Sequence, residues 1–259
     1  MSMKTVMLRN VEVGVGVPKV IVPIVGKTRE EILAKAEELR SVKLDVVEWR
    51  VDFYEDALNI GNVLETLKQL NMALGDIPIL FTFRTKKEGG EKHIDLGAYQ
   101  ALNTAVAWSG NADIVDVEIF SGDKVVKATI DAIHAAGKSV VASSHDFDKT
   151  PSQTDLIYRM RKMQDMNADI CKVAVMPRNK ADVVTLLAAT EEMYRCFADR
   201  PIMTMSMAPM GVLSRLCGEV FGSCMTFGAV GQVSAPGQIP VEKLNATLDT
   251  IHIALGAHE

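Results

Sequence analysis

The chain has 259 residues, of which 48% are hydrophobic and only 5% aromatic, so its core must be built mainly from aliphatic side chains and methionine. The formal net charge is −5, and the longest basic cluster is Lys86-Lys87, which argues against nucleic acid as a partner because phosphates require a basic stripe. No stretch approaches the ~20 apolar residues of a membrane span, so we expect a cytoplasmic protein that binds neither nucleic acid nor membrane.

The four cysteines, Cys171, Cys196, Cys217 and Cys224, follow no metal-binding or disulfide pattern. They form no CxxC pair and have no histidine in a ligand register. We therefore expect free thiols, no metal and no cofactor. No Pro-, Gly- or Ser-rich linker interrupts the chain, so residues 1–259 are predicted to form one domain.

From Val20 onward, short β-branched runs alternate with longer stretches of helical periodicity. Such alternation is typical of βα units that build a parallel sheet. Strands are predicted to begin near Val20, Leu44, Ile79, Asp113, Ser139, Ile170, Pro201 and Cys224. Eight units in a chain close to the ~250 residues of such folds predict an α/β protein with a (β/α)8 TIM barrel.

Several helix starts are marked by capping residues. Thr28 and Glu31 form a capping-box pattern, and Ser152 and Asn179 stand at the N-cap positions of two later helices. These caps fall between the predicted strands, where the helices of a barrel belong.

Residues 1–18 alternate like a hairpin and precede the first predicted barrel strand. We interpret them as an N-terminal β-hairpin that closes the bottom of the barrel. A doubly wound sheet is the alternative architecture, but it would need a Gly-rich phosphate loop after its first strand. Gly26-Lys27-Thr28 provides only a turn and a cap.

Ionisable residues stand inside several predicted strands. Parallel barrel strands are covered on both faces and should be apolar, so a charge near the carboxyl end of a strand lies where barrel active sites are found. In LDVVEWRVD, the period of two puts Glu48, Arg50 and Asp52 on one face. A structural salt bridge is the alternative, but similar charges on other strands favour a binding role.

Two further strands end in residues suited to binding and proton transfer. Arg84 shares the inward face with Thr82 in FTFRTKKEGG, and Glu88 follows on the loop. His145 ends VVASSHDF at the same level and is the one histidine that terminates a predicted barrel strand. A structural, hydrogen-bonding role for His145 is the alternative.

Lys172 is the sharpest chemical signal, because lysine is almost never fully buried without a partner or a function. It lies inside the apolar run ICKVAVM. Burial disfavours the ammonium form, and a neutral lysine beside other cations attacks carbonyl carbons. We predict a nucleophilic amine that forms a Schiff base with a ketone. An ion pair with Glu48 or Glu118 is the alternative.

The last two units supply groups suited to a carboxylate and a lid. Arg215, in MGVLSRLCGEVFG, could make a charge-assisted bidentate contact with a carboxylate, and a helix-surface arginine is the alternative. The loop that contains Ser234 and Gln238, VSAPGQ, is predicted to close over the site, with an ordinary turn as the alternative.

Taken together, the segments EWRVD, FTFRTKKEGG, SSHDF, CKVAVMP, PIMTMSM, GVLSRLCGEVFGS and FGAVGQVSAPGQ resemble type I 3-dehydroquinate dehydratases. The similarity runs from about Lys19 to the C-terminus and keeps the order and spacing of that family. It implies a metal-free hydro-lyase of the shikimate pathway that dehydrates 3-dehydroquinate to 3-dehydroshikimate, and it implies a homodimer.

The resemblance also implies roles for individual residues. Lys172 matches the Schiff-base lysine, His145 the general acid and base, and Glu88 the carboxylate that orients the histidine. The matching substrate-binding positions are Glu48, Arg50 and Arg84 for the ring hydroxyls, Arg215 for the carboxylate, and Ser234 and Gln238 in the closing loop. One departure is Pro23, which stands where some members carry serine and puts one peripheral hydrogen bond in doubt.

Two other functions are kept as alternatives. A Schiff-base aldolase could use the same barrel and lysine, but the Gly-rich phosphate grip of sugar-phosphate aldolases is missing after strands seven and eight. A quinate-pathway sensor could bind the metabolite without turnover, although retention of both Lys172 and His145 argues against it. The sequence does not distinguish aromatic biosynthesis from quinate catabolism, since both use the same dehydration.

Overall fold

A computed structural model, which describes residues 3–231 and 237–256, shows a curled parallel sheet inside a layer of helices. The strands are β1 (Val6–Leu8), β2 (Val11–Val13), β3 (Lys19–Ile24), β4 (Val46–Arg50), β5 (Ile79–Thr82), β6 (Ile114–Glu118), β7 (Ser139–Asp146), β8 (Ile170–Val175), β9 (Ile202–Ser206), β10 (Met225–Ala229) and β11 (Ile239–Pro240). Strands β3 to β9 pair in chain order, and β10 pairs with β3. Cys224 N–H donates to the carbonyl of Ile202 at 2.8 Å between β9 and β10, which closes the ring. The predicted barrel and its eight strands are confirmed.

Helices cover the outside of the ring. They are α1 (Arg29–Leu39), α2 (Ile60–Leu74), α3 (Leu96–Ser109), α4 (Asp123–Ala135), α5 (Gln153–Asp165), α6 (Lys180–Cys196), α7 (Val212–Leu216), α8 (Gly218–Phe221) and α9 (Val241–Ala254). The capping box is present, since the Thr28 hydroxyl accepts from Glu31 N–H and the Glu31 carboxylate accepts from Thr28 N–H. Ser152 and Asn179 cap α5 and α6 as predicted. Among the described helices, none is long and apolar enough to cross a lipid bilayer.

The N-terminal hairpin of β1 and β2 lies against the bottom of the barrel. Val6, Leu8 and Val13 are buried in the same apolar cluster as inward side chains from the amino ends of the barrel strands, such as Ile21 and Ile170. The hydrophobic effect therefore holds the hairpin over that end. This confirms the predicted position of the hairpin.

Arg9, in the turn of the hairpin, fixes it to the barrel wall. Its guanidinium donates to Asp113 at 2.9 Å and to Asn71 at 2.6 Å, and it also contacts the carbonyl of Gly75. Asp113 in turn accepts from Ile79 N–H at 2.8 Å, at the start of β5. The amino end of the barrel is thus closed by packing and by a specific ion pair.

The two faces of the barrel strands carry different kinds of side chain. Side chains such as Val47, Trp49 and Phe81 face the helices in a continuous apolar core. The alternate residues point inward and become polar toward the carboxyl ends, where Glu48 is paired in register with Leu80, and Ser143 with Lys172. Parallel strands in register therefore place their charged residues at one end of the barrel.

Candidate active site

A cavity of about 150 Å³ opens at the carboxyl ends of the barrel strands. Eight of the nine predicted site residues line it: Glu48, Arg50, Arg84, Glu88, His145, Lys172, Arg215 and Gln238. The ninth, Ser234, lies outside the described residues. Residues separated by as many as 190 positions in the chain thus meet at one cavity because the barrel brings the strand ends together.

Lys172 projects from β8 into this cavity and is only 4% exposed. Its Nζ atom lies 3.6 Å from a carboxylate oxygen of Glu48 and 3.6 Å from one of Asp116. It also lies 4.8 Å above the ring of Phe227. The amine therefore sits between two carboxylates and an aromatic face. The sequence suggested Glu48 or Glu118 as an ion-pair partner of Lys172. The structure shows Glu48 and Asp116 close to the amine.

Arg84, two residues after β5, binds the carboxylates of the neighbouring strand. It lies 2.8 Å from Asp116 and 2.9 Å from Glu118, and it donates to the hydroxyl of Ser143 at 3.0 Å. Burial opposes ionisation of Asp116, but the positive charges of Arg84 and Lys172 outweigh it and lower the pKa of this carboxyl. Arg84 thus has internal partners, and its contact with a ring hydroxyl stays a prediction.

Glu118 accepts hydrogen bonds from Thr85 as well as from Arg84. It accepts from the backbone N–H of Thr85 at 2.9 Å and from the Thr85 hydroxyl at 2.8 Å. Tyr99 accepts from the Glu118 N–H at 3.1 Å and is buried behind the strand. Glu118 therefore anchors Arg84 and the chain that leads to Glu88.

His145 and Glu88 form a hydrogen-bonded pair at the edge of the cavity. One carboxyl oxygen of Glu88 accepts from the backbone N–H of His145 at 3.0 Å and lies 3.0 Å from Nδ1 of the ring. Because this oxygen already accepts from the backbone N–H, we assign Nδ1–H as a second donor to it, which leaves Nε2 as the nitrogen that can accept a proton. This arrangement is the one expected of an oriented general base.

Electrostatics favour the neutral form of both members of the pair. Burial lowers the pKa of His145 well below its usual value, and the nearby charges of Arg84 and Lys172 lower it further. Burial and the charge of Glu118 raise the pKa of Glu88 to about 8. Both pKa shifts favour a hydrogen bond between neutral partners over an ion pair.

Glu88 owes its position to a 3₁₀ turn, Lys86–Glu88, that packs against β7. Gly90 N–H donates to the carbonyl of Thr85 at 2.8 Å, and a Cβ at this position would lie 1.9 Å from the carbonyl oxygen of Arg84. Only glycine permits that approach. Gly90 thus fixes the turn that carries Glu88.

The residues at the end of β4 support one another. Arg50 donates two hydrogen bonds to Asp52, each 2.8 Å long, and Glu48 accepts from the hydroxyl of Thr82 at 2.9 Å. Asp52 is completely buried in the 3₁₀ turn that follows the strand. The guanidinium of Arg50 is thus held at the cavity by a carboxylate behind it.

One side of the cavity is apolar and carries a buried arginine. Met205, Met207 and Phe227 line it beside Arg215, whose side chain lies 4.0 Å from the sulfur of Met205. Burial lowers the pKa of Arg215 to about 10, which leaves it charged near pH 7. A guanidinium in this apolar setting suits a bound carboxylate. Gln238 lines the same cavity.

Sequence reasoning missed several residues that the fold brings to the site. Asp116 lies on β6 with the same period of two that identified Glu48 and Arg50, so this signal was available in DIVDVEIF. Phe227 and Met205 carry no such signal, because an apolar residue in a strand is typical of a core. Among the described residues, no three His, Cys, Asp or Glu side chains are grouped to hold a metal ion.

Pro23, the departure from the family pattern, is paired in register with Glu48 but lies past Ile21, where pairing of β3 with β10 ends. Its missing N–H therefore costs no bond in that ladder. Pro23 lines a separate cavity with Lys27 and Phe53.

The fold and the cavity define a barrel enzyme that acts on a small polar molecule. A family model described as type I 3-dehydroquinase matches residues 20–254. A 3-dehydroquinate dehydratase of Salmonella paratyphi B is 50% identical over 252 residues, which cover 97% of this chain and all of that protein. The chain belongs to the type I 3-dehydroquinase family.

Solved structures agree with this assignment. A type I 3-dehydroquinate dehydratase from Clostridium difficile, crystallised with covalently modified comenic acid, superposes with a TM-score of 0.95 at 48% identity and covers 97% of this chain and 99% of that one. A 3-dehydroquinate dehydratase from Geobacillus kaustophilus gives a TM-score of 0.94 at 37% identity, covering 97% and 98%. The resemblance stated from the sequence is confirmed.

Proposed function

We propose that this chain dehydrates 3-dehydroquinate to 3-dehydroshikimate in the shikimate pathway, through a Schiff base on Lys172 and with His145 as the general acid and base. The observation that carries the proposal is the buried amine of Lys172 in the same cavity as the His145–Glu88 pair. Family membership and the names of the relatives support the substrate and product.

In the first half of the reaction, the Nζ lone pair of Lys172 adds to the ketone carbon of the substrate. Proton transfers through His145 convert the carbinolamine oxygen into water, whose departure leaves an iminium ion. The carboxylates of Glu48 and Asp116, each 3.6 Å from Nζ, stabilise positive charge at this nitrogen. The two negative charges attract positive charge at this nitrogen, whether it belongs to the iminium or to the free ammonium.

In the second half, Nε2 of His145 removes a proton from the ring carbon next to the iminium. The electron pair moves into the iminium and gives an enamine. The imidazolium then donates its proton to the ring hydroxyl, which leaves as water while the enamine electrons form the ring double bond. Addition of water to the conjugated iminium releases the product and restores the amine of Lys172.

The remaining cavity residues hold the substrate. We assign Arg215 to its carboxylate, because the guanidinium is buried among apolar side chains and keeps its charge. Glu48, Arg50 and Arg84 are assigned to the ring hydroxyls, and Ser234 and Gln238 to closure of the loop over the site. Glu88 orients His145 through Nδ1.

The assembly and location follow from the resemblance to the family. We propose a homodimer in the cytoplasm, with residues 1–259 forming one catalytic domain. Light scattering of the purified protein tests the dimer, and a mass of one chain at micromolar concentration would contradict it.

Turnover tests the proposed function directly. Incubation with 3-dehydroquinate should produce the conjugated enone of 3-dehydroshikimate, followed by ultraviolet absorbance and identified by mass spectrometry. Lys172→Ala and Lys172→Arg should both be inactive, since neither side chain can form the imine. Binding without enone formation by the intact protein would favour the sensor, and cleavage of a carbon–carbon bond would favour the aldolase.

A further inference from the structure

The His145–Glu88 pair forms a wall between two cavities. Four residues line both the substrate cavity and a second, outer cavity of about 540 Å³, namely Glu88, Gly89, His145 and Phe147. The outer cavity is more open to solvent and also contains Lys86, Lys87 and Arg159. His145 and Glu88 thus face both cavities, and the side chain that packs on them limits how much of each is exposed to the outer one.

Phe147 is the side chain that covers this wall. Its ring stacks on the imidazole of His145, with the ring centres 6.5 Å apart and the planes inclined by 23°. Gly89 also packs against this ring, since a Cβ atom at this position would lie 2.3 Å from the Phe147 ring. Gly89 has φ +83°, so this position both needs glycine and leaves room for the ring.

Phe147 is more exposed to solvent than His145 and Glu88. Phe147 is 37% exposed, whereas the side chains of His145 and Glu88 are 9% and 10% exposed. The Phe147 ring is therefore not part of the hydrophobic core. It packs on the solvent side of two polar side chains that are almost completely buried.

The backbone that carries Phe147 is fixed on its outer side. The Asp146 carboxylate accepts from the N–H groups of Asp148 and Lys149 at 3.1 and 3.0 Å, which turns the chain directly after Phe147. Arg159 lies 3.6 Å from Asp146 and donates to the Ser144 hydroxyl at 3.1 Å. The ring is therefore held over the pair by a local hydrogen-bonded turn.

Removal of the ring would hydrate the pair without altering its charged neighbours. The charged groups that face it are Arg50 from β4, Arg84 following β5, Asp116 and Glu118 from β6, and Lys172 from β8. None of these contacts runs through Phe147. Desolvation is the largest cause of the lowered pKa of His145 and of the raised pKa of Glu88, so added water should return both pKa values toward their ordinary ranges.

We propose that Phe147 is a positioning residue whose ring, packed against His145 and Gly89, limits the contact of the His145–Glu88 pair with water in the outer cavity and preserves its hydrogen bond. This inference rests on the proposed role of His145 as the proton carrier. It adds that the base depends on an aromatic side chain that lines both the substrate cavity and the outer cavity.

The test is the titration of the His145 ring by NMR in substrate-free protein labelled at histidine Cε1, with the resonance assigned from a His145→Gln spectrum. Phe147→Ala should raise the titration midpoint of His145 by about one pH unit or more, and Phe147→Tyr should leave it within about 0.3 units. Phe147→Leu should lie between them and replaces the alanine variant if that variant does not fold. Phe120→Ala is the matched control, because Phe120 lines the same outer cavity and stacks under Arg159, and it should change nothing.

Kinetics distinguish a cover from a substrate contact. Phe147→Ala should lower kcat about tenfold or more and move the pH profile of kcat with the NMR midpoint, while KM changes less than threefold. An unchanged His145 midpoint in both Phe147→Ala and Phe147→Leu would overturn the inference, as would an effect confined to KM. Because the titration needs no substrate, a wild-type protein that fails to dehydrate 3-dehydroquinate refutes the proposed function and leaves this result readable.

Discussion

Asp116 on β6 and Lys172 on β8 are separated by strand β7, yet a carboxylate oxygen of Asp116 is 3.6 Å from the Lys172 amine. The same carboxylate is 2.8 Å from Arg84 and accepts from Ser143 at 2.7 Å. Asp116 therefore compensates two buried cations at once. The carboxylate joins the proposed nucleophile to the network that positions Glu88.

Asp116→Asn should destabilise the protein by about 3 kcal/mol, because it leaves the buried Arg84 and Lys172 with one negative charge fewer. Urea unfolding at pH 7 measures this loss. Asp131→Asn is the control, since Asp131 pairs with Lys127 on the exposed face of α4, and it should cost less than about 0.5 kcal/mol. Equal stabilities for the two variants would show that the buried network is not important for folding.

His145→Ala should fail at a later stage than a Lys172 variant. The imine can still form slowly, but no group remains to remove the ring proton, so kcat should fall by ~10²–10⁴. Intact mass spectrometry during turnover should show a protein population that carries the substrate. If the adduct never accumulates and kcat is close to wild type, His145 is not the base.

Arg215→Ala should act mainly on substrate binding. Loss of a charge-assisted contact of ~1.5–3 kcal/mol corresponds to a rise in KM of about ten- to a hundredfold. Arg215→Lys should recover only part of this loss, because an ammonium cannot make the bidentate contact. Arg161→Ala, an exposed arginine that stacks on Phe197, serves as the control. An unchanged KM for Arg215→Ala would contradict the carboxylate anchor.

The pKa of Glu88 should appear in the pH dependence of stability. It is about 8 in the folded protein, against an ordinary value of 4.5, so between these values the folded state keeps a proton that the unfolded chain has lost. The contribution of Glu88 to stability is therefore present below pH 4.5 and is lost as pH rises toward 8. His145 acts oppositely, because its lowered pKa costs stability as pH falls below 6.5.

Glu88→Gln isolates the carboxyl contribution. The unfolding free energy of this variant relative to wild type should rise between pH 6 and pH 8, by up to about 1.4 kcal/mol per pH unit. Urea unfolding of both proteins across this range measures the difference. A difference that is constant or falls over this range would show that Glu88 is ionised in the folded state.

Much of the fold could be predicted because it depends on local patterns. The period of two within strands and the caps Thr28, Ser152 and Asn179 each act within a few residues. The same period also identified Glu48 and Arg50 as inward-facing. Lys172 could be placed in a strand because it is a single lysine within an apolar run.

The remaining features depend on contacts that no local pattern encodes. Asp116 rather than Glu118 approaches Lys172, and Glu118 is bound by Thr85, a residue 33 positions away in the chain. The cover formed by Phe147 depends on the left-handed conformation of Gly89 on a different strand end. Both relationships arise from the register of the barrel and could be seen only after the strands were assembled.

The covalent role of Lys172 can be tested by trapping the imine chemically. The protein is incubated with 3-dehydroquinate, reduced with borohydride and digested, and the modified peptide is located by mass spectrometry. We predict that the peptide containing Lys172 carries the mass of the reduced adduct and that Lys172→Ala carries none. An unmodified Lys172 in folded protein that turns over the substrate would contradict the Schiff-base mechanism.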